Sequence, residues 1–353
     1  MKIAILEGDG IGPEVMREAL KVLDIVEKKT KVEFEKNFGY IGGEAYDRFG
    51  TPFPEETKKI CRNADAVLLG CVGGPKWDAL PPESKPEIGG LLALRKFLNL
   101  YANLRPIKIY DSLKSLSPLK ESKISNIDLI TVRELSYGIY YGKPKGIDNE
   151  KGFDTMIYDK ETVERIARVA FEIAKNRRKM VTSVDKANVL RSSMYWRSIV
   201  TKISKDYPDV LLNHMYVDNA AMQLIINPSQ FDVILTTNMF GDILSDESAA
   251  LVGSLGMLPS ASLGNTNLYE PAGGSAPDIA GKNIANPIAQ ILSLAMMLEL
   301  SFDMIDAARK IESAVEFVIK EGYRTRDLPG NPSKTLSTSQ MGDVICKKLE
   351  DIW

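Results

Sequence analysis

Two aspartates four residues apart are the part of this chain best suited to bind a metal ion. Asp242 and Asp246 follow the apolar, β-branched run 231–237, which predicts a strand, and a predicted turn over 238–241. If a helix begins at Asp242, both carboxylates project from one helix face and repel each other unless a cation lies between them. Acidic residues in a first turn also complement the helix dipole. On these residues alone, metal binding and helix capping are equal alternatives.

The pattern of predicted strands and helices around these residues indicates an α/β protein with largely parallel strands. Apolar strand-like runs alternate with amphipathic segments at helical spacing. The predicted strands are 2–6, 66–70, 180–184, 211–217 and 231–237, and the predicted helices are about 13–29, 91–100, 161–177, 287–300 and 304–321. The Gly- and aromatic-rich stretch 134–160 predicts an extended hairpin, and 259–287 predicts a long loop. Charged residues follow several strands, at the crevice where α/β sheets bind ligands.

Composition narrows the class of protein. The 353 residues suffice for two domains or one large α/β unit, and a net charge of −2 with no Lys/Arg cluster offers no surface for nucleic acid. Three cysteines without a CxxC pair argue against a disulfide framework and fit a cytoplasmic setting. Neither a signal peptide nor a membrane span is predicted, because polar residues interrupt each apolar run. The single histidine, His214, argues against a zinc site or a Ser-His-Asp triad.

The glycines near the N-terminus do not form a dinucleotide fingerprint. A Gly-x-Gly-x-x-Gly motif begun at Gly8 requires glycine or alanine at position 13, where Pro13 stands. Proline is common in the first turn of a helix. We therefore predict no Rossmann site here.

Motifs along nearly the whole chain resemble, in order, those of the β-hydroxyacid oxidative decarboxylases, the family of the isocitrate and isopropylmalate dehydrogenases. They are 8–14, 91–95, 103–106, 132–135, 138–142, 184–190, 217–224, 238–247 and 270–282. The resemblance implies a two-domain, isopropylmalate dehydrogenase-like α/β fold with a mixed central sheet, not a Rossmann fold. It places 1–100 and 252–353 in the first domain and 101–251 in the second. The second domain is expected to carry the interface of a homodimer, with an intersubunit arm at about 138–158.

The implied reaction is oxidation of a small 2-hydroxy dicarboxylic acid at C2, followed by loss of its 3-carboxylate. Arginine suits such a dianion because its guanidinium donates paired hydrogen bonds to a carboxylate. The resemblance assigns substrate binding to Arg95, Arg105, Arg133, Asp218, Leu91 and Leu92. The two leucines offer an apolar wall for an isopropyl group, although the stretch from Glu87 departs from the family's spacing.

The stretch 134–140 resembles the isopropylmalate branch of the family. The expected reaction is therefore oxidation of (2R,3S)-3-isopropylmalate to 4-methyl-2-oxopentanoate and CO2 in leucine biosynthesis. The alternatives are a sister enzyme acting on tartrate or malate, homoisocitrate or isocitrate, a homologue that only binds ligand, and, from the aspartates alone, a Mg²⁺-dependent phosphatase.

The resemblance also implies a metal ion and two catalytic side chains. Hard oxygen ligands favour Mg²⁺ or Mn²⁺, and the expected ligands are Asp218, Asp242 and Asp246, with Asp218 from the second subunit. Lys186, also crossing from the partner, is expected to accept the hydroxyl proton, and Tyr140 to protonate the enol after CO2 leaves. The homodimer is thus expected to have shared active sites.

The implied redox cofactor is NAD. The resemblance assigns it to Gly73, Gly74, Pro75, Glu270, Gly273, Gly274, Ser275, Ala276, Pro277, Asp278, Ile279 and Asn286. The segment from Gly73 is expected on the nicotinamide side, and 273–279 on the adenosine side. Asp278 favours NAD⁺ over NADP⁺ because a carboxylate accepts hydrogen bonds from a ribose hydroxyl but repels a 2′-phosphate. Gly273 departs from family members that carry histidine there.

Overall fold

The structure is a computed structural model that describes residues 1–124, 127–251 and 253–353. The strands are β1 (Lys2–Gly8), β2 (Glu35–Gly39), β3 (Ala66–Cys71), β4 (Ala102–Lys108), β5 (Asp128–Glu134), β6 (Gly146–Ile147), β7 (Gly152–Phe153), β8 (Met180–Asp185), β9 (Leu211–Tyr216), β10 (Val233–Thr236), β11 (Pro259–Leu263) and β12 (Asn267–Pro271). The helices are α1 (Gly12–Thr30), α2 (Gly43–Phe49), α3 (Glu55–Arg62), α4 (Ala93–Phe97), α5 (Glu121–Ile124), α6 (Lys160–Lys175), α7 (Arg191–Ile203), α8 (Val217–Ile226), α9 (Asn238–Leu251), α10 (Ile288–Phe302), α11 (Ile305–Lys320) and α12 (Thr338–Ile352).

The chain divides into two compact units. The first unit consists of Met1–Leu100, Tyr110–Leu116 and Gly253–Trp353, and the second of Tyr101–Ile109 and Ser117–Val252. The domain edges proposed from the sequence remain a prediction, and the edge at Val252 lies outside the described residues.

The first unit is built on a mixed sheet with strands in the order β2, β1, β3, β12 and β11. Neighbouring strands are parallel except for β11, which runs antiparallel to β12. Helix α1 begins with Pro13 in its first turn and buries Val15, Ala19 and Val22, the apolar stripe that its spacing predicts. Helices α1 and α10 pack on these strands, and α11 and α12 pack on α1 and α10.

The strands of the second unit are arranged in the order β4, β5, β10, β8 and β9. Only β4 is antiparallel to its neighbour, β5, so the mixed α/β architecture expected from the sequence is confirmed. The amphipathic helix α6 buries Val163, Ile166 and Ala170 and packs on β5, β8 and β10. The Gly- and aromatic-rich stretch 134–160, called the Gly-rich excursion below, contains a small hairpin of β6 and β7.

Three sequence predictions about local structure were wrong. The predicted loop 259–287 contains β11 and β12, whose small and polar residues resemble a loop although Ser260 and Ser262 are buried in the pairing. Helix α9 begins at Asn238 rather than Asp242, because the Asn238 N–H is already satisfied by the hydroxyl of Tyr158. The predicted helix 91–100 is a π-helical segment over Pro86–Leu92 followed by the short α4.

Among the residues that the structure describes, no helix combines the length and the apolar character that a membrane span requires.

Candidate active site

A buried arginine organises the first group of polar residues in the second unit. Arg133 is only 1% exposed, and its Nε and Nη2 atoms donate to Oδ1 of Asn238 at 3.1 and 2.8 Å. Its Nη1 atom pairs with Oδ1 of Asp242. Strand β5 pairs with β10 at Arg133 and Thr236, so α9 begins directly beside this guanidinium. A Cβ atom at Gly241 would lie 2.6 Å from Cγ of Arg133, which explains glycine at this position of α9.

A second arginine joins the two aspartates of α9. Arg105, from β4, donates from Nη1 to Oδ1 of Asp246 at 2.8 Å and to Oγ of Ser245 at 2.8 Å. Its Nη2 atom is 3.6 Å from Oδ1 of Asp242, and its Nε donates to Asn103. The carboxylates of Asp242 and Asp246 therefore lie one turn apart on the same helix face. Sequence reasoning missed the two residues that hold these arginines, Asn238 and Ser245, because amides and hydroxyls in a helix carry no chemical signal of their own.

Tyr140 reaches the same carboxylate from the Gly-rich excursion. Its hydroxyl donates to Oδ2 of Asp242 at 2.9 Å, and the Arg133 guanidinium lies 5.8 Å from its ring centroid. Gly138 makes this approach possible, because its φ is +83° and a Cβ atom there would lie 2.2 Å from the Tyr158 hydroxyl. The structure thus gathers Arg105, Arg133, Tyr140, Asp242 and Asp246 into one cluster, the carboxylate cluster of the second unit.

Lys186 and Asp218 form a separate pair. Strands β8 and β9 run parallel with Asp185 beside Tyr216, so the residues that follow them are neighbours. Nζ of Lys186 lies 2.6 Å from Oδ1 of Asp218, and this hydrogen bond holds the pKa of the Asp218 carboxyl below its ordinary value. The adjacent Asp185 is fully buried, accepts from the Ala187 N–H and pairs with Arg197, so its role is structural.

The oxygen ligands fit a hard divalent cation only in part. Asp242 and Asp246 supply carboxylate oxygens suited to Mg²⁺ or Mn²⁺. Within the described ranges, however, no group of three or more His, Cys, Asp or Glu side chains is close enough to hold a metal ion. The structure therefore brings together two of the three predicted ligands and leaves Asp218 with Lys186.

The first unit holds the remaining predicted substrate residues. Nη2 of Arg95 lies 2.9 Å from Oε1 of Glu270, and both side chains are 9% exposed, so Glu270 fixes this guanidinium. Leu91 and Leu92 are half-buried and end the π-helical segment before α4. The carboxyl of Glu87 lies against Gly73, where a Cβ atom would be 2.2 Å from Oε1. The unusual spacing near Glu87 therefore still places a carboxyl group at the predicted cofactor loop.

A cavity of about 540 Å³ in the first unit has the size and the mostly apolar lining of a small-molecule site. Predicted cofactor residues in its lining are Gly273, Gly274, Ala276, Ile279 and Asn286. A Cβ atom at Gly273 or Gly274 would meet nothing within 4 Å, so this wall is open to a ligand. Pro277 and Asp278 are exposed on the short turn that follows Ala276, and Glu270 instead pairs with Arg95.

Sequence reasoning missed several residues of this cavity. Ser254, Arg326 and Asp327 also line it, and Asp327 accepts hydrogen bonds from the Ser254 hydroxyl at 2.5 Å and the Asn286 amide at 3.1 Å. These residues come from segments outside every motif that resembled the family. Their distance along the chain from 273–279 left no pattern that could have identified them.

Comparison with known proteins shows similarity over nearly the whole chain. A family model described as isocitrate/isopropylmalate dehydrogenase matches residues 2–345. The chain is 77% identical over 354 residues to a 3-isopropylmalate dehydrogenase of Thermotoga maritima, covering 100% of both chains. It is 58% identical to that of Geobacter sulfurreducens, covering 99% of both chains, and 56% identical to that of Aquifex aeolicus, covering 99% of this chain and 97% of that one.

Solved structures show the same relationship. The crystal structure of isocitrate dehydrogenase from Methylococcus capsulatus superposes with a TM-score of 0.87 at 37% identity, covering 99% of both chains. The TT0538 protein from Thermus thermophilus gives a TM-score of 0.87 at 32% identity, covering 99% of this chain and 68% of that one.

Proposed function

The chain belongs to the isocitrate/isopropylmalate dehydrogenase family, and on that premise we propose that it oxidises and decarboxylates (2R,3S)-3-isopropylmalate to 4-methyl-2-oxopentanoate and CO2, with reduction of NAD⁺. One observation carries this choice. Relatives that are 56–77% identical over nearly their whole length are named 3-isopropylmalate dehydrogenase, whereas the isocitrate dehydrogenase structure is 37% identical. The expected place of the reaction is leucine biosynthesis, and the sister activities on tartrate or malate, homoisocitrate or isocitrate are less well supported.

We propose that the arginines bind the two carboxylates of the substrate. Arg105 and Arg133 are already held by Asn103 and Asn238, so little side-chain entropy is lost when they donate to a carboxylate. Arg95 is fixed by Glu270 in the same way. Leu91 and Leu92 supply the apolar contact for the isopropyl group, where each buried methylene contributes about 0.8 kcal/mol.

Family membership brings NAD⁺ and a divalent Mg²⁺ or Mn²⁺ ion as cofactors. NAD⁺ supplies the hydride acceptor, and the metal ion supplies Lewis acidity toward the C2 oxygen. Asp242 and Asp246 would hold the metal ion together with Asp218 of a second copy of the chain. The open glycine wall at Gly273 and the apolar cavity would hold the adenosine.

Two side chains carry the proton transfers in this proposal. Lys186 accepts the proton of the C2 hydroxyl as a neutral amine, so its ammonium group must first leave Asp218 and give up one proton to solvent. Tyr140 donates its hydroxyl proton to the product carbon after CO2 leaves. The buried Arg133 beneath its ring keeps the phenol beside Asp242.

We further propose a cytoplasmic homodimer with shared active sites. The second unit exposes apolar side chains on α8 and α9: Met222, Ile225, Ile226 and Ile243 are 44–58% exposed. Exposed apolar side chains gathered on neighbouring helices mark interaction sites in soluble proteins. Asp218 lies in the first turn of α8, and Lys186 follows β8 and pairs with Asp218. An interface formed by α8 would therefore place both residues next to the carboxylate cluster of a partner.

The decisive experiment follows NADH absorbance with purified protein, Mg²⁺, NAD⁺ and 3-isopropylmalate, in parallel with isocitrate, malate and tartrate. We expect NADH only with isopropylmalate, and none after treatment with EDTA. Faster turnover of another acid would retain the family and mechanism but overturn the substrate. No NADH from any acid would overturn the enzymatic proposal and favour a homologue that only binds ligand.

A further inference from the structure

The glycine-rich motif near the N-terminus has a structural role other than the rejected dinucleotide fingerprint. Asp9, between Gly8 and Gly10, is only 3% exposed. Its Oδ2 atom accepts from the N–H groups of Gly43 and Gly73, each at 2.8 Å, and its Oδ1 atom accepts from the Glu44 N–H at 2.8 Å. One carboxylate therefore ties the first strand to the start of α2 and to the loop proposed for the nicotinamide.

The same motif reaches the adenosine segment through a closed circuit of hydrogen bonds. The carbonyl of Gly73 accepts from the hydroxyl of Ser275 at 2.7 Å. The carbonyl of Ser275 in turn accepts from the N–H of Ile11 at 2.8 Å, and Ile11 is two residues from Asp9. The circuit from Asp9 through Gly73 and Ser275 to Ile11 joins three segments that are far apart in the sequence.

Glycine is required on both sides of Asp9 by this close packing. Gly8 and Gly10 have φ values of +71° and +59°, a region that favours glycine. A Cβ atom would lie 2.0 Å from the carbonyl oxygen of Cys71 at Gly8, and 2.0 Å from that of Ser275 at Gly10. The glycines therefore permit contact between backbone segments, whereas in a dinucleotide fingerprint they permit contact with a pyrophosphate.

Burial of a carboxylate at this place is unfavourable in itself. Desolvation raises the pKa of Asp9, although the N–H groups of Gly43, Gly73 and Glu44 act in the opposite direction. A buried charge is tolerated where fixed donors satisfy it, and loss of those donors leaves an unpaired buried group. The position of the two loops therefore depends on Asp9 keeping all three hydrogen bonds.

We propose that Asp9 and Ser275 are positioning residues that set the separation between the two segments that hold opposite ends of NAD⁺, 73–75 and 273–279. This inference rests on the proposed function. It also changes the role of Ser275, which resemblance assigned to cofactor contact: its hydroxyl is buried and already donates to Gly73. The span of the dinucleotide, rather than either half alone, is what the circuit fixes.

The test compares a ligand that spans both segments with one that occupies only the adenosine segment. NAD⁺ and AMP would be titrated by calorimetry against wild type, Asp9→Asn, Ser275→Ala and the double variant. We expect each single substitution to weaken NAD⁺ binding by about tenfold, the effect of losing one buried hydrogen bond, and AMP binding by less than about twofold. The double variant should bind NAD⁺ no more weakly than the single variant with the lower NAD⁺ affinity, because both substitutions interrupt the same circuit of hydrogen bonds.

A matched control separates positioning from general destabilisation. Glu18→Gln removes another buried carboxylate of the first unit, 1% exposed, in α1. It should lower the melting temperature without weakening NAD⁺ relative to AMP. If Asp9→Asn fails to fold, Ser275→Ala alone still gives the comparison between NAD⁺ and AMP.

Four results would overturn the inference. Unchanged NAD⁺ affinity in every variant would show that the circuit does not affect cofactor binding. Equal losses of NAD⁺ and AMP affinity in Ser275→Ala would show that Ser275 contacts the adenosine itself. Additive losses in the double variant would show two independent effects. Wild-type protein that binds AMP but not NAD⁺ would overturn the proposed function, and the inference with it.

Discussion

The hydroxyl group of Tyr140 donates a hydrogen bond to Oδ2 of Asp242 at 2.9 Å. Oδ1 of the same carboxylate pairs with Arg133. A single aspartate thus holds a proposed proton donor and a proposed substrate-binding cation, and is itself a proposed metal ligand. Substitutions of Tyr140, Arg133 and Asp242 should therefore be distinguishable by the function that each removes: proton transfer, substrate binding or metal binding.

Tyr140→Phe should remove proton transfer while leaving ligand binding intact. The phenylalanine ring can keep its contact with Arg133 but cannot donate a proton, so kcat should fall about 10²- to 10⁴-fold. The affinity for NAD⁺ should not change. The measurement is steady-state NADH formation together with calorimetric NAD⁺ binding. Tyr195→Phe, an exposed tyrosine on α7, is the control and should retain full activity; a Tyr140→Phe enzyme with wild-type kcat would exclude the assigned role.

Asp246→Asn should weaken metal binding. The substitution removes the charge from one of two carboxylates on the face of α9 and also its ion pair with Arg105. Titration with Mn²⁺, followed by electron paramagnetic resonance in the presence of isopropylmalate, should show an affinity lower by at least about tenfold. Asp209→Asn, in the same unit, should bind Mn²⁺ normally. Equal affinities for Asp246→Asn and wild type would place the metal ion elsewhere.

Asp278→Asn should relax the choice of cofactor. Asp278 is exposed beside the cavity proposed for the adenosine, and removal of its charge should diminish repulsion of a 2′-phosphate. The ratio of kcat/KM for NADP⁺ to that for NAD⁺ should rise by about tenfold. Asp327→Asn is a useful contrast, because Asp327 holds Ser254 and Asn286 and its loss should affect both cofactors equally. An unchanged ratio in Asp278→Asn would show that another residue discriminates.

His214 gives a pH prediction that can be read without ambiguity, because it is the only histidine. Burial lowers the pKa of His214 below its ordinary value of 6.5, and the positive charge of Arg197 lowers it further, against the opposing effect of Asp185. The native state then binds fewer protons than the unfolded state, so this group's contribution to stability is present above pH 6.5 and is lost as the pH falls through the folded-state pKa. NMR titration of the imidazole protons should give a pKa below 6.5. A value at or above 6.5 would show that the Asp185 charge prevails over burial.

Sequence patterns predicted the layout of this protein better than its fine structure. Long amphipathic helices such as α1 and α6 were predicted correctly because their apolar spacing records burial directly. Strands β11 and β12 were missed because partners in the sheet bury their small polar residues, an effect of tertiary pairing that local composition does not contain. The motifs predicted each member of the carboxylate cluster individually: Arg105, Arg133, Tyr140, Asp242 and Asp246. The side chains that hold the two arginines in place, such as Asn238 and Ser245, could be identified only from the structure.

Cross-complementation of two inactive variants tests the shared active site. Lys186 pairs with Asp218, whereas Tyr140 belongs to the carboxylate cluster that includes Asp242. If Lys186 serves the site of a partner, a heterodimer of Lys186→Ala and Tyr140→Phe contains one site with both substitutions and one site with neither. Co-expression with two affinity tags, followed by purification through both, isolates such heterodimers. They should regain about half of wild-type activity per dimer, since one of two symmetric sites is intact. Each variant alone should remain inactive. Tandem-purified heterodimers with no activity would mean that Lys186 and Tyr140 of the same copy act together, because each site would then lack one of the two groups.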